Sequence, residues 1–131
     1  EFRRVLFRSD SLNYNKMALK GSKSLVIGIS YKKNIDDVRE SPAVELLELL
    51  REKGSIVNYS DKYFQSFPTM REHNFKLEHQ ELSKKILNSM DFIVIATDHD
   101  YLDFEFIQKN SKLIFDTRGR YKHKFENVVK C

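Results

Sequence analysis

Apolar and polar positions fall into blocks along this chain, and the period within each block predicts an element. Residues 24–30 form a short, almost continuous apolar run carried by Leu25, Val26, Ile27 and Ile29, with Gly28 inside it. Such a run, bounded by polar residues, predicts a strand covered on both faces, as in a parallel sheet. A polar loop follows over 31–40. Ser41 then stands where a helix cap belongs, and Pro42 where a missing N–H does no harm. Val44, Leu47 and Leu50, flanked by Leu46 and Leu49, make a wide apolar stripe at helical spacing, with Glu45, Glu48, Arg51, Glu52 and Lys53 on the other face. Gly54 is the expected stop.

The alternation repeats. Residues 55–59 predict a second strand ending at Ser60 and Asp61, and 62–78 read as irregular, with Pro68 and many polar and aromatic residues. A helix is predicted over 81–88, with Leu82, Ile86 and Leu87 inward. Residues 92–96, Phe-Ile-Val-Ile-Ala, give the clearest third strand. A polar loop at 97–101 leads into a short helix at 102–109. A fourth strand is predicted at 113–115, ending at Asp116, Thr117, Arg118 and Gly119, and the tail from Arg120 onward carries no strong signal. Strands alternating with helices imply an α/β fold: a single Rossmann-like domain, its parallel sheet covered by helices on both faces.

Composition narrows the class. With 131 residues the chain suits one domain with one core. No apolar run approaches the roughly 20 residues of a membrane span, and no secretory signal is visible. The only cysteine, Cys131, excludes an intramolecular disulfide and a cysteine-based metal site, so a cytoplasmic protein is expected. Residues 1–9 crowd three arginines among apolar residues without cap or period; they resemble a translated sequencing adapter, and a non-native segment is expected there. Residues 10–22 are expected to end a preceding linker or helix, which leaves 23–131 as the domain. The net charge is +4, and Arg3, Arg4, Arg8 and Glu1 together supply +2 of it, leaving +2. That remainder is too weak to point to nucleic acid.

In open parallel sheets, ligands bind beyond the carboxyl ends of the strands. The loops at 31–39, 97–101 and 116–120 are therefore site candidates. The first has no Gly-x-Gly-x-x-Gly turn to bring a pyrophosphate onto a helix N-terminus, which argues against an NAD-binding unit. It presents side chains instead: Tyr31, Lys32, Lys33, Asn34 and Arg39. Long cations at strand ends suit a phosphorylated ligand, although a lysine pair in a loop is more often plain solvated surface. Asp36 and Asp37 lack a third ligand nearby, so no metal is expected. His73, His79 and His123 are scattered and expected at the surface. His99 is expected to cap the following helix or order its loop rather than touch ligand, and Phe64, Phe67 and Phe75 to pack the irregular stretch onto the core.

Residues 28–42, an aromatic-lysine pair after an apolar strand and glycine, then an acidic loop, then Arg-Glu-Ser-Pro opening a helix, resemble the signature of the UDP-glucose/GDP-mannose dehydrogenase family in its C-terminal domain. Thr97, Asp98 and His99 after the third strand, and Phe115 to Arg118 after the fourth, sit where that family has its later motifs. Within the family, the Tyr-Lys-Lys-Asn loop and the histidine look closest to the UDP-N-acetyl-hexosamine 6-dehydrogenases. The resemblance implies a domain that grips a UDP-sugar. Another domain of the same protein would bind NAD and supply the catalytic cysteine, and the intact enzyme would be a homodimer.

By matching motif, Tyr31 and Lys32 would contact substrate, Arg118 would reach the nucleotide-sugar, and Arg39 would reach NAD across the domain cleft. No catalytic residue falls in this chain. The family oxidises a C6 alcohol to a uronate by two hydride transfers through a cysteine thioester, so this chain alone is expected to be inactive. Two other classes stay open on the residues themselves: a stand-alone nucleotide-binding or regulatory module of flavodoxin-like fold, and an interaction module with a degenerate site.

Overall fold

The computed structural model describes residues 20–30, 42–65 and 79–130. Five strands form one parallel sheet: β1 (Lys23–Ile27), β2 (Ile56–Ser60), β3 (Phe92–Ile95), β4 (Ile114–Asp116) and β5 (Val128–Lys130), in the spatial order β2-β1-β3-β4-β5. Among the described residues three helices connect them: α1 (Pro42–Glu52), α2 (Lys84–Ser89) and α3 (Phe104–Asn110).

Period-two alternation divides the core. Val26, Val94 and Phe115 point to the face covered by Ala43, Val44, Leu47 and Leu50 of α1. Leu25, Ile27, Ile93, Ile95 and Ile114 point to the opposite face, where Leu87 of α2 and Ile107 of α3 close over them. Both faces are thus buried, and for that reason the strand segments read as continuous apolar runs rather than alternating ones.

Local chemistry sets the ends of the elements. Helix α1 begins at Pro42 and stops at Gly54, whose φ of +89° suits glycine. The Gly54 N–H donates to the Arg51 carbonyl and the Ser55 N–H to the Leu50 carbonyl, each at 3.0 Å, the paired bonds of a Schellman stop. Two helices start later than their apolar spacing suggests, because capping residues override it. The Ser83 hydroxyl accepts from the Ile86 N–H, so α2 begins at Lys84 rather than at 81. The Asp103 carboxylate accepts from the Phe106 N–H, so α3 begins at Phe104 rather than at 102.

The tail after Arg120 is not featureless. Asn127 donates through Nδ2 to the Gln108 and Ser111 carbonyls and accepts from Gln108 Nε2, and its own carbonyl accepts from the Ile114 N–H at 2.7 Å. That clamp between the end of α3 and β4 delivers Val128 into β5. Buried Tyr121 turns the chain toward it, its hydroxyl donating to the Phe104 carbonyl at 2.7 Å. Gly28 also departs from expectation. It lies one residue past β1, at φ +85°.

Among the described residues no helix is long and apolar enough to cross a membrane.

Candidate functional site

The strand order places the reversal of the sheet between β1 and β3, because the chain moves outward to β2 and then returns to build β3, β4 and β5 on the other side. A crevice opens at the carboxyl ends of the strands where such an order reverses. Gly28 lies at this edge, one residue past β1. A Cβ built there would lie 2.4 Å from the Thr97 carbonyl oxygen and 2.5 Å from Thr97 Cβ. Only a glycine lets the ends of β1 and β3 approach this closely. Gly28 N–H donates to the Ser60 carbonyl, and the Ala96 and Thr97 N–H groups both donate to the Ile27 carbonyl.

Arg118 reaches the same edge from β4. It follows β4 and is exposed, yet its Nε donates to the Ala96 carbonyl at 2.7 Å, so the guanidinium reaches back from β4 to the end of β3. The turn that aims it is built by buried Asp116, whose Oδ1 accepts from the Arg118 N–H at 3.0 Å and whose Oδ2 accepts from the Tyr121 N–H at 2.9 Å. Thr117 Oγ1 adds a bond to the Ile95 carbonyl at 2.6 Å. An arginine tethered through Nε leaves its planar terminal fork for an anion, and two phosphate oxygens can accept from such a fork bidentately.

At the same edge lies a buried polar cluster. Asp61, just past β2, is fully buried, and so is His99. Asp61 Oδ2 accepts from the Ile29 N–H and from His99 Nε2, each at 2.9 Å; Oδ1 accepts from the Tyr63 N–H at 3.0 Å. The same His99 nitrogen lies 3.1 Å from Ser30 Oγ. A carboxylate only accepts, so the His99 Nε2–H is the donor and Ser30 Oγ its second acceptor. Thr97 Oγ1 donates to the Ser30 carbonyl at 2.8 Å. Burial alone would raise the Asp61 carboxyl; the bond from His99, the Ile29 and Tyr63 N–H groups and the His99 charge outweigh it and hold it below the ordinary aspartate value.

Aromatic rings wall the cluster. Tyr63 lies 4.9 Å from the His99 ring and Tyr101 stacks on it at 5.5 Å and 23°. The Lys62 N–H donates to the Tyr101 hydroxyl at 3.0 Å and its Nζ sits 4.4 Å over the Tyr101 ring. Burial pushes the Tyr101 phenol up to about 12.

His99 therefore does not cap α3; Asp103 does, and His99 is bonded into the sheet edge instead. His79 is not at the surface: its side chain is 5% exposed, its Nδ1 accepts from the Asp61 N–H at 2.9 Å, and its Nε2 faces Glu81 at 3.2 Å. Bonds from two directions hold it there. His123 is exposed and Phe64 packs on the α1 core, both as expected. A separate cleft of about 310 Å³ opens between β2 and α3, lined by Ser60, Lys62, Glu81, Tyr101 and Asp103 among others; Gly28, Thr97 and Arg118 are not part of it. Tyr31, Lys32, Lys33, Asn34, Asp36, Asp37, Arg39, Ser41, Phe67, His73, Phe75 and Cys131 lie outside the described residues. Of the nominated site residues, the structure thus places Arg118. Asp61 and Ser30 were not nominated; their one signal was position, at the carboxyl ends of the second and first apolar runs.

Fold and edge together define a class, a doubly wound parallel α/β domain whose polar side chains gather beyond the carboxyl ends of its central strands. The chain belongs to the UDP-glucose/GDP-mannose dehydrogenase family, and residues 25–123 match its UDP binding domain. The UDP-N-acetyl-D-mannosamine dehydrogenase of Methanococcus maripaludis is 29% identical over 119 residues, covering 83% of this chain and 25% of that protein. The UDP-glucose 6-dehydrogenase of Rickettsia felis is 36% identical over 105 residues, 75% of this chain and 21% of that protein. Among solved structures, the UDP-D-ManNAc dehydrogenase of Pyrococcus horikoshii matches with a TM-score of 0.68 at 26% identity, over 95% of this chain and 28% of its own. The chain spans about a quarter of the length of these relatives.

Proposed function

We propose that this chain holds the UDP part of a nucleotide-sugar for an NAD-dependent 6-dehydrogenase of which it forms the C-terminal domain. The family match to a UDP binding domain over 25–123 carries the reading. Its physical support is Arg118, an exposed guanidinium tethered through Nε at the Ala96 carbonyl, at the carboxyl end of β3. Tyr31 and Lys32, which follow Ser30 in the sequence, would join it on the substrate, and Arg39 would reach the cofactor.

The described residues do not fit NAD itself. A pyrophosphate cradle needs a short glycine turn that leads from a strand straight into a helix N-terminus. Here Gly28 is filled by its contact with Thr97, and α1 starts only at Pro42. NAD would therefore be held by another part of the whole protein, and no step of hydride transfer is assigned to this chain. The whole enzyme would be a cytoplasmic homodimer oxidising the C6 alcohol of a UDP-N-acetyl-hexosamine to a uronate for surface polysaccharide; the names of the mannosamine dehydrogenases it is similar to support that sugar class. The strand order β2-β1-β3-β4-β5 is also that of flavodoxin-like modules, so a stand-alone nucleotide-binding domain is the second reading.

Calorimetry with UDP tests the proposal. The wild-type chain is expected to bind weakly, and Lys32→Ala to weaken it about tenfold or more, the value of one charge-assisted bond of roughly 1.5–3 kcal/mol. Equal affinity in both would remove Lys32 from the site. With UDP-sugar and NAD present, the same preparation is expected to form no NADH, and turnover above background would contradict the division of labour.

A further inference from the structure

We propose that Asp61, His99 and Thr97 are positioning residues: they lock Ile29 and Ser30, just past β1, the two residues that come immediately before Tyr31 and Lys32 in the sequence. This inference rests on the reading that Tyr31 and Lys32 grip the UDP-sugar.

Direct contact with ligand is ruled out for the pair, since neither Asp61 nor His99 has any exposed surface. What they touch is more informative. Their bonds include the Ile29 N–H and Ser30 Oγ, and Thr97 Oγ1 donates to the Ser30 carbonyl. The last two residues before Tyr31 are thus held through backbone and side chain by groups arriving from β2 and from β3. The anchors are themselves restrained. Asp61 is bonded on both carboxylate oxygens and through its N–H to His79, and the His99 ring packs against both Tyr63 and Tyr101.

Stability alone does not account for such a cluster. A buried charged or polar pair gains little over apolar residues of the same volume, and its retention fits best where it specifies one geometry. This pair lies at the reversal point of the sheet, where ligands bind. Geometry matters there, because a charge-assisted hydrogen bond to phosphate depends on distance and alignment.

The test is UDP calorimetry on the full 131-residue chain, with thermal unfolding of each variant alongside. Two variant sets are needed. Ser30→Ala combined with Thr97→Val cuts only the links to Ser30 and leaves the Asp61–His99 bond in place, so the fold is retained. His99→Phe keeps the stacked ring and removes the donor, and His99→Gln restores a donor at the reach of Nε2. The Ser30→Ala/Thr97→Val chain is expected to bind UDP about tenfold more weakly with little change in melting temperature, His99→Phe at least as weakly, and His99→Gln to recover most of the affinity. A purely structural role would move the melting temperature and leave the affinity of the folded chain alone. Wild-type affinity in the folded Ser30→Ala/Thr97→Val chain overturns the positioning role. If His99→Phe does not fold, that double variant decides by itself. Absence of UDP binding by the wild-type chain overturns the UDP reading, and the positioning role with it.

Discussion

Replacing Gly28 with alanine is expected to destabilise the domain by about 3 kcal/mol or more, the sum of a backbone term and an overpacking term. The backbone sits at φ +85°, where an L side chain costs of order 1–2 kcal/mol. The new methyl would also meet Thr97 backbone and side-chain atoms at 2.4–2.8 Å, and a peptide group cannot yield as the tip of a flexible side chain can. Relief requires the ends of β1 and β3 to part. That would strain the bonds from Ala96 and Thr97 to the Ile27 carbonyl. A domain of this kind has only about 5–15 kcal/mol in total, so the variant loses a large share of its stability. Urea unfolding of the two chains measures this; a loss below about 1 kcal/mol would mean that the ends of β1 and β3 do not meet as described.

Asp61→Ala is expected to have an effect of similar size, about 3–5 kcal/mol, because it leaves buried donors without their acceptor. Three donors lose it: the Ile29 N–H, the Tyr63 N–H and His99 Nε2. The acid limb of the stability curve should show the same group. In the folded chain the Asp61 carboxyl is held below its ordinary value of 3.8, so on acidification the unfolded chain takes up this proton first. The contribution is therefore complete above the ordinary value and is lost as pH falls through the lower folded value. Chemical unfolding measured from neutral pH down to pH values below 4 should give a fall in stability that is steeper in the wild type than in Asp61→Asn. Parallel acid limbs would remove Asp61 as their source.

Much of this architecture is legible in the sequence because its signals are local. The apolar runs of β1 and β3, the stripe on α1, Pro42 at its start and Gly54 at its end each report on a few neighbouring residues, and each stands where the pattern puts it. Strand β5 is different. It has three residues, two half-buried valines and a lysine, and it is delivered by Asn127 bonds to residues 16 and 19 positions away. No periodicity survives in so short a strand.

The site divides in the same way. Arg118 is legible because its motif follows directly on β4. The Asp61–His99 pair is not, since 38 residues separate the partners. Periodicity marks where strands end but not which ends are neighbours, and only the order β2-β1-β3 brings Asp61 and His99 against the same end of β1. His79 is hidden for a related reason. Its burial depends on the backbone N–H of Asp61, a partner that has no side-chain signature.

UDP held at the carboxyl edge of β1, β3 and β4 would show itself on titrating UDP into the isotope-labelled chain and following its backbone amide resonances. Shifts are expected to concentrate at Gly28 to Ser30, Thr97 to His99 and Thr117 to Gly119, and to be lost in Arg118→Ala. Shifts centred instead on the cleft lined by Ser60, Lys62, Glu81, Tyr101 and Asp103, or no shifts at millimolar UDP, would contradict that placement of UDP.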